Sequence, residues 1–160
     1  EGAQAQLSRV HFDQAKYGTV TASSCAVNGV IEAVKDGRRP DSSADTTIEA
    51  WISSGESSNE WIQMIFDQPQ TVERLGLFWV SYDQVDVPAD WRIEYLLDGN
   101  WYPFEKYITD AYGVTKDRFN TIHPAAELTC EGLRINIEAQ AGKSVGLFDL
   151  ELNLRQARHS

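Results

Sequence analysis

Apolar and polar residues alternate with period two along most of the chain. In WRIEYLL (91–97), Trp91, Ile93 and Tyr95 alternate with Arg92 and Glu94. Successive side chains of a strand point to opposite faces, so this spacing predicts a strand with one buried face. Asp98 and Gly99 follow and supply a turn, because both tolerate positive φ. WYPF (101–104) begins the return strand. Pro103 has no N–H to give to a ladder, so that strand is expected at an edge or to break there.

The same rhythm recurs. GTVTASS (18–24) is short and β-branched. EWIQMIF (60–66) puts Ile62, Met64 and Phe66 on one face, and DQPQ (67–70) is expected to stop it. VERLGLFWV (72–80) aligns Leu75, Leu77 and Trp79. DRFNTIH (117–123) sets Phe119, Thr121 and His123 against Arg118, Asn120 and Ile122. GLRINIEA (132–139) sets Leu133, Ile135 and Ile137 against Arg134, Asn136 and Glu138. SVGLFDLELNL (144–154) sets Phe148, Leu150, Leu152 and Leu154 against Asp149 and Glu151. Seven or eight short strands with turns between them predict an all-β sandwich. Its core is expected to hold Ile62, Met64, Phe66, Leu77, Trp91, Ile93, Leu133, Ile135, Phe148 and Leu150. Helix is limited to about one turn in NGVIEAVKDG (28–37). Residues 1–16 read as a leading arm or linker, 17–154 as the sandwich and 155–160 as a tail.

The 160 residues suffice for one domain with a real core, and 42% apolar with 24% charged residues is ordinary globular composition. Net charge changes the picture more. At −10 it argues against nucleic acid, which requires clustered Lys and Arg, and against polyanionic glycans and anionic membrane surfaces. A neutral partner fits better. No apolar run approaches the roughly 18 residues of a membrane-inserting span. Cys25 and Cys130 lack the close spacing of a zinc site and either form one disulfide or remain buried thiols.

Catalytic patterns are weak. Serines cluster in ASSC, DSS and ISSGESS, but no GxSxG elbow follows a strand, and His11, His123 and His159 are scattered. A glycosidase needs two carboxylates about 5–10 Å apart across a cleft, for which a sandwich of this size leaves little room. Two loops carry other chemistry. Residues 32–51 form a long polar segment with Asp36, Asp41, Ser42, Ser43 and Asp45, oxygen donors of the kind a hard cation takes. Residues 79–86 end one strand, and a rigid sheet presents sites on such loops. There Trp79 or Tyr82 offers a ring for the C–H face of a sugar, and Asp83 an acceptor for hydroxyls. Arg118 and Asn120 supply further donors if their segment lies alongside. Trp51 and Trp61 are expected to plug the end of the sandwich.

Taken in order, IEAVKDGRRPDSSAD, EWIQMIFDQPQTVERLGLFWV, VPADWRIEYLLDGNWYPF, YGVTKDRFNTIHP, GLRINIEAQ and VGLFDLEL resemble a discoidin-type domain over about residues 17–154. This is the coagulation factor type C, galactose-binding-like family, as appended to bacterial β-L-arabinofuranosidases and β-galactosidases. The resemblance implies an eight-strand jelly-roll sandwich. It implies a non-catalytic carbohydrate-binding module, which binds a neutral glycan and is linked to the catalytic domain of a secreted, periplasmic or surface glycoside hydrolase. The other functions open to such a domain are a structural accessory that packs on its own enzyme and a protein-adhesion module. The resemblance also implies a structural Ca²⁺ at Asp36 and Asp149, with carbonyls near Lys35 and Ser42. Arg38 and Arg39 stand after Gly37, where calcium-binding relatives carry a further acid or amide.

Overall fold

The computed structural model describes residues 18–156. The leading arm with His11 and tail residues 157–160 with His159 lie outside the described residues. Among the described residues there are eight strands: β1 (Gly18–Ala22), β2 (Trp51–Ile52), β3 (Asn59–Trp79), β4 (Asp90–Leu97), β5 (Asn100–Pro103), β6 (Asn120–Ile122), β7 (Leu128–Glu138) and β8 (Gly146–Gln156). The helix expected near 28–37 is a single 3-10 turn, Ile31–Lys35, which buries Ala33 and Val34. Arg155, assigned to a tail by sequence, belongs to β8 and pairs with Thr71.

The sheet order is β2-β8-β3-β7-β4-β5, with β1 and β6 also paired to β3, and the pairings are antiparallel. The sandwich arises because β3 belongs to both layers. Its first half pairs with β1 and with the second half of β7. Its second half pairs with β6 and β8. DQPQ does not end the strand as the sequence suggested. The chain stays extended through Pro69, while the pairing with β7 shifts between Ile65 and Gln70 and turns the strand back over itself. A proline without a donor is accommodated at such an irregularity.

Ile62, Met64, Leu75, Leu77, Trp79, Trp91, Ile135, Leu150 and Leu152 meet in the main core between the layers. Phe148 is buried but elsewhere. A register shift between Phe78 and Trp79 breaks the alternation, so Leu147 and Leu150 face the main core while Phe148 joins a second cluster with Ala50, Ile52, Phe78, Val80 and Val85. In β6 the inward residues are Asn120 and Ile122. The β4–β5 hairpin turns on Asp98 and Gly99, with φ of 53° and 81°, and β5 is an edge strand ending at Pro103. Cys25 and Cys130 form no disulfide, and Cys25 is exposed rather than buried. Burial pushes the Cys130 thiol up to about 11.

Candidate functional site

Both ends of β3 lie at one end of the sandwich. The Ala139 N–H donates to the Ser58 carbonyl just before Asn59, and Asp86 N–H reaches Ser144 near the partner of Trp79. Three loops are clasped together there by Ser43, which is 2% exposed. Its carbonyl accepts the Ser81 N–H at 2.7 Å, its N–H donates to Asp117 Oδ1 at 2.8 Å, and its Oγ accepts the Asp117 N–H at 2.8 Å. The sequence offered Ser43 as an oxygen ligand; in the fold it is a clasp, because a buried hydroxyl with adjacent N–H and C=O satisfies three partners at once.

This clasp brings the 81–86 loop beside the 115–118 segment, as the sequence expectation required. The loop is tight: Tyr82 and Val85 exchange backbone hydrogen bonds at 2.9 Å, and Asp83 takes a φ of 53°, which Asp tolerates. Asp83 and Arg118 are exposed. Tyr82 is half-buried, its ring edge-on to Phe148 with centroids 6.4 Å apart. Burial, then the Asp83 charge, raises the Tyr82 phenol, so it is a neutral hydroxyl at physiological pH. Asp86 accepts from Ser81 Oγ at 3.0 Å and faces Lys116 Nζ at 3.9 Å, which fixes the floor of the loop.

Two expected sugar contacts are corrected. Trp79 is 0% exposed; its ring packs edge-on against Trp91, so it has no face for a ligand. Asn120 is 7% exposed and its amide is spent on the loop: Oδ1 accepts the Thr115 N–H at 2.9 Å, and Nδ2 donates to Thr115 O at 3.0 Å and Leu77 O at 3.3 Å. The Gly113 carbonyl between them accepts both indole N–H groups, Trp91 at 2.9 Å and Trp79 at 3.1 Å. A Cβ on Gly113 would sit 2.6 Å from Asn120 Oδ1, so a side chain there would displace the Asn120 amide from its bonds. His123 is exposed and pairs with Asp110, 3.1 Å away.

The residues expected to hold a metal divide. Asp149 is 3% exposed, and its carboxyl is pushed up to about 8 by burial, then by the charges of Glu151 and Asp36, against the lowering effect of Arg39. A buried carboxyl among like charges is chemistry that suits a hard dication. Asp36 ends the 3-10 turn and accepts the Arg38 N–H at 2.8 Å. Ser42 accepts two loop N–H groups, that of Ala44 at Oγ (3.2 Å) and that of Asp45 at its carbonyl (3.2 Å). The Lys35 ammonium is turned to Gly18 O and Glu32, which leaves only its carbonyl for an ion. Arg39, whose presence after Gly37 departs from the calcium-binding pattern, is drawn aside to Glu151 and the Phe119 ring. Among the described residues no three His, Cys, Asp or Glu side chains converge as a metal cluster, so backbone carbonyls would have to complete any shell.

Trp51 is fully buried in the main core, with Nε1 donating to Ser24 O at 2.8 Å. Trp61 is only partly buried. It stands on the outer face of the first layer, in the polar phase of EWIQMIF opposite Ile62 and Met64, with the Arg134 guanidinium 5.4 Å from its ring. That phase was readable in the sequence, but the cross-strand neighbours that give it meaning were not.

The F5/8 type C domain family model matches residues 19–148. No curated protein sequence matches the chain. Among solved structures, a chain of the Streptococcus pneumoniae β-galactosidase BgaA superposes with a TM-score of 0.68 at 12% identity, covering 86% of this chain and 90% of that one. The family 32 carbohydrate-binding module of Clostridium perfringens NanJ, solved with galactose, gives 0.67 at 12% identity and covers 88% and 96%. Chitosan-binding module 1 of a Paenibacillus sp. IK-5 chitosanase/glucanase gives 0.64 at 19% identity and covers 86% and 95%. At these identities the likeness is one of fold.

Proposed function

Because the chain belongs to the F5/8 type C domain family, we propose that it is a non-catalytic carbohydrate-binding module, linked in a larger chain to a secreted glycoside hydrolase, that binds a neutral glycan on the loop end of its sandwich. The observation that carries the reading is the Ser43 clasp, which holds a half-buried tyrosine, an exposed carboxylate and an exposed guanidinium on neighbouring loops of a rigid sheet. Tyr82 supplies the ring edge and hydroxyl, Asp83 accepts from sugar hydroxyls and Arg118 donates to them. The structural neighbours that hold galactose or bind chitosan support this reading. Among the described residues no helix is long and apolar enough to cross a membrane. By tethering, such a module raises the effective concentration of substrate at the linked catalytic domain.

A shallow site of this kind binds in the micromolar to millimolar range, about 4–8 kcal/mol. Calorimetric titration with galactose, followed by Tyr82→Ala and Asp83→Ala, tests the assignment. Each substitution is expected to weaken binding about tenfold or more. Full affinity in both variants would remove the site from this loop.

The same proposal includes one Ca²⁺ in the 35–45 loop, held by the Asp36 and Asp149 carboxylates and by carbonyls near Lys35 and Ser42. The ion would neutralise the buried carboxylate and clip the loop to β8, a structural role.

A further inference from the structure

A second feature lies away from the loop end, on the outer face of the first layer. The strand register builds it row by row. Trp61 of β3 stands opposite Asn136 of β7, which stands opposite Arg92 of β4. In the next row Gln63, Arg134 and Glu94 align. The rows are knitted together: Arg134 Nε donates to Gln63 Oε1 at 2.8 Å, and Asn136 Nδ2 donates to Glu94 Oε1 at 2.8 Å. The Arg134 guanidinium lies 4.0 Å from the Trp101 ring centroid and 5.4 Å from that of Trp61, so it orders both rings.

Two hollows open on this face. The smaller, about 240 Å³, lies where β3 and β4 begin and β7 ends, and is lined by Trp61, Arg92 and Asn136 together with Glu60, Asp90 and Glu138. The larger, about 540 Å³, is lined by Arg92, Glu94, Lys106, Tyr112 and Asn136. The two adjoin at Arg92 and Asn136, making a two-part groove on β3, β7 and β4. Its far wall is the segment after β5, fixed where Phe104 N–H bonds Ile93 O at 3.1 Å and where the Tyr112 phenol pairs with the Ile93 backbone. The Arg92 guanidinium sits over the Tyr112 ring at 5.2 Å.

We propose that this groove is a second glycan-binding surface, which takes a linear neutral oligosaccharide laid across the strands. The inference rests on the module reading but not on the loop-end site. Three features select the ligand class. The groove spans two strand spacings, about 10 Å, and its two hollows lie side by side, which suits consecutive sugar rings rather than one. Two aromatic side chains of the lining, Trp61 and Tyr112, stand among a carboxylate, an amide and a guanidinium, a mixture that meets C–H surfaces and hydroxyls together. The cations Arg92 and Lys106 are outnumbered by the acids of the lining, Glu60, Asp90, Glu94 and Glu138, with Asp90 3.3 Å from Arg92, so the groove is not built for a polyanion. Because cross-strand bonds already hold the side chains, little ordering remains to be done on binding.

The test is two-dimensional NMR of the whole protein, following the Trp61 indole N–H and the Asn136 side-chain amide. β-1,4-linked tetrasaccharides of glucose, galactose and N-acetylglucosamine are added in turn. At least one is expected to shift both resonances, to lose about tenfold or more in affinity in Asn136→Ala, and to bind Tyr82→Ala unchanged at this face. No shift of Trp61 and Asn136 with any of the three, or shifts that vanish in Tyr82→Ala, would overturn the proposal. Galactose is added separately. Shifts confined to residues 81–86 and 115–118 bear on the loop-end site alone, so the two readings fail independently.

Discussion

Trp91 shows how much one residue carries in this fold. It is 1% exposed, packs edge-on between Trp79 and Tyr112 at 5.4 and 4.8 Å, and donates its indole N–H to Gly113. Trp91→Ala should cost about 3–5 kcal/mol, the range for deleting a buried tryptophan, and a loss below about 1 kcal/mol in denaturant melts would contradict its place in the core. This residue was legible because period two fixes the face. Trp79 was legible as to strand face and misread as to role: alternation gives the side on which a ring lies, not whether a loop covers it. Asn120 was misread for a related reason. Its amide looks free in sequence, and only the fold shows that the 113–118 loop is wrapped around it.

At the scale of elements, strand existence followed from pattern, whereas the joins did not. Pro69 suggested a stop, yet one strand turns through it and serves both layers. The bulge opposite Phe78 sent Phe148 to a second cluster, an offset that no periodicity reveals. Beside it the Asp149 carboxyl, raised to about 8, makes a pH prediction. Its folded pKa lies above the unfolded carboxylate value near 4, so without metal the folded state binds more protons between those values. Stability from this group is present below about pH 4 and is lost as pH rises toward 8. Ca²⁺ needs the deprotonated form and stabilises by mass action, so added calcium should raise the melting temperature most at pH 7–8, and chelator should reverse it. Thermal melts with identical midpoints in calcium and in chelator at pH 7.5 would remove the ion from the account.

At the scale of the molecule, the net charge of −10 and the acidic side chains lining the proposed groove both argue against anionic ligands, in keeping with the neutral glycan proposed. Binding should therefore depend weakly on ionic strength, because screening acts on charge pairs; a loss of more than about tenfold between 50 and 500 mM salt would indicate a charged ligand instead. Whole-fold architecture was the most legible property, since strand count, turn chemistry and segment order agreed. The two proposed binding surfaces were the least legible, because they assemble from residues as far apart in sequence as Ser43, Ser81 and Asp117, or Trp61, Arg92 and Asn136.

The most direct measurement of the central claim is a glycan array probed with the protein itself. The account predicts binding to a restricted set of neutral glycans, with signal that survives 500 mM salt and falls in Tyr82→Ala or Asn136→Ala, depending on which surface a glycan uses. No binding to any neutral glycan by the folded protein would contradict the carbohydrate-binding reading and put the structural-accessory reading ahead of it.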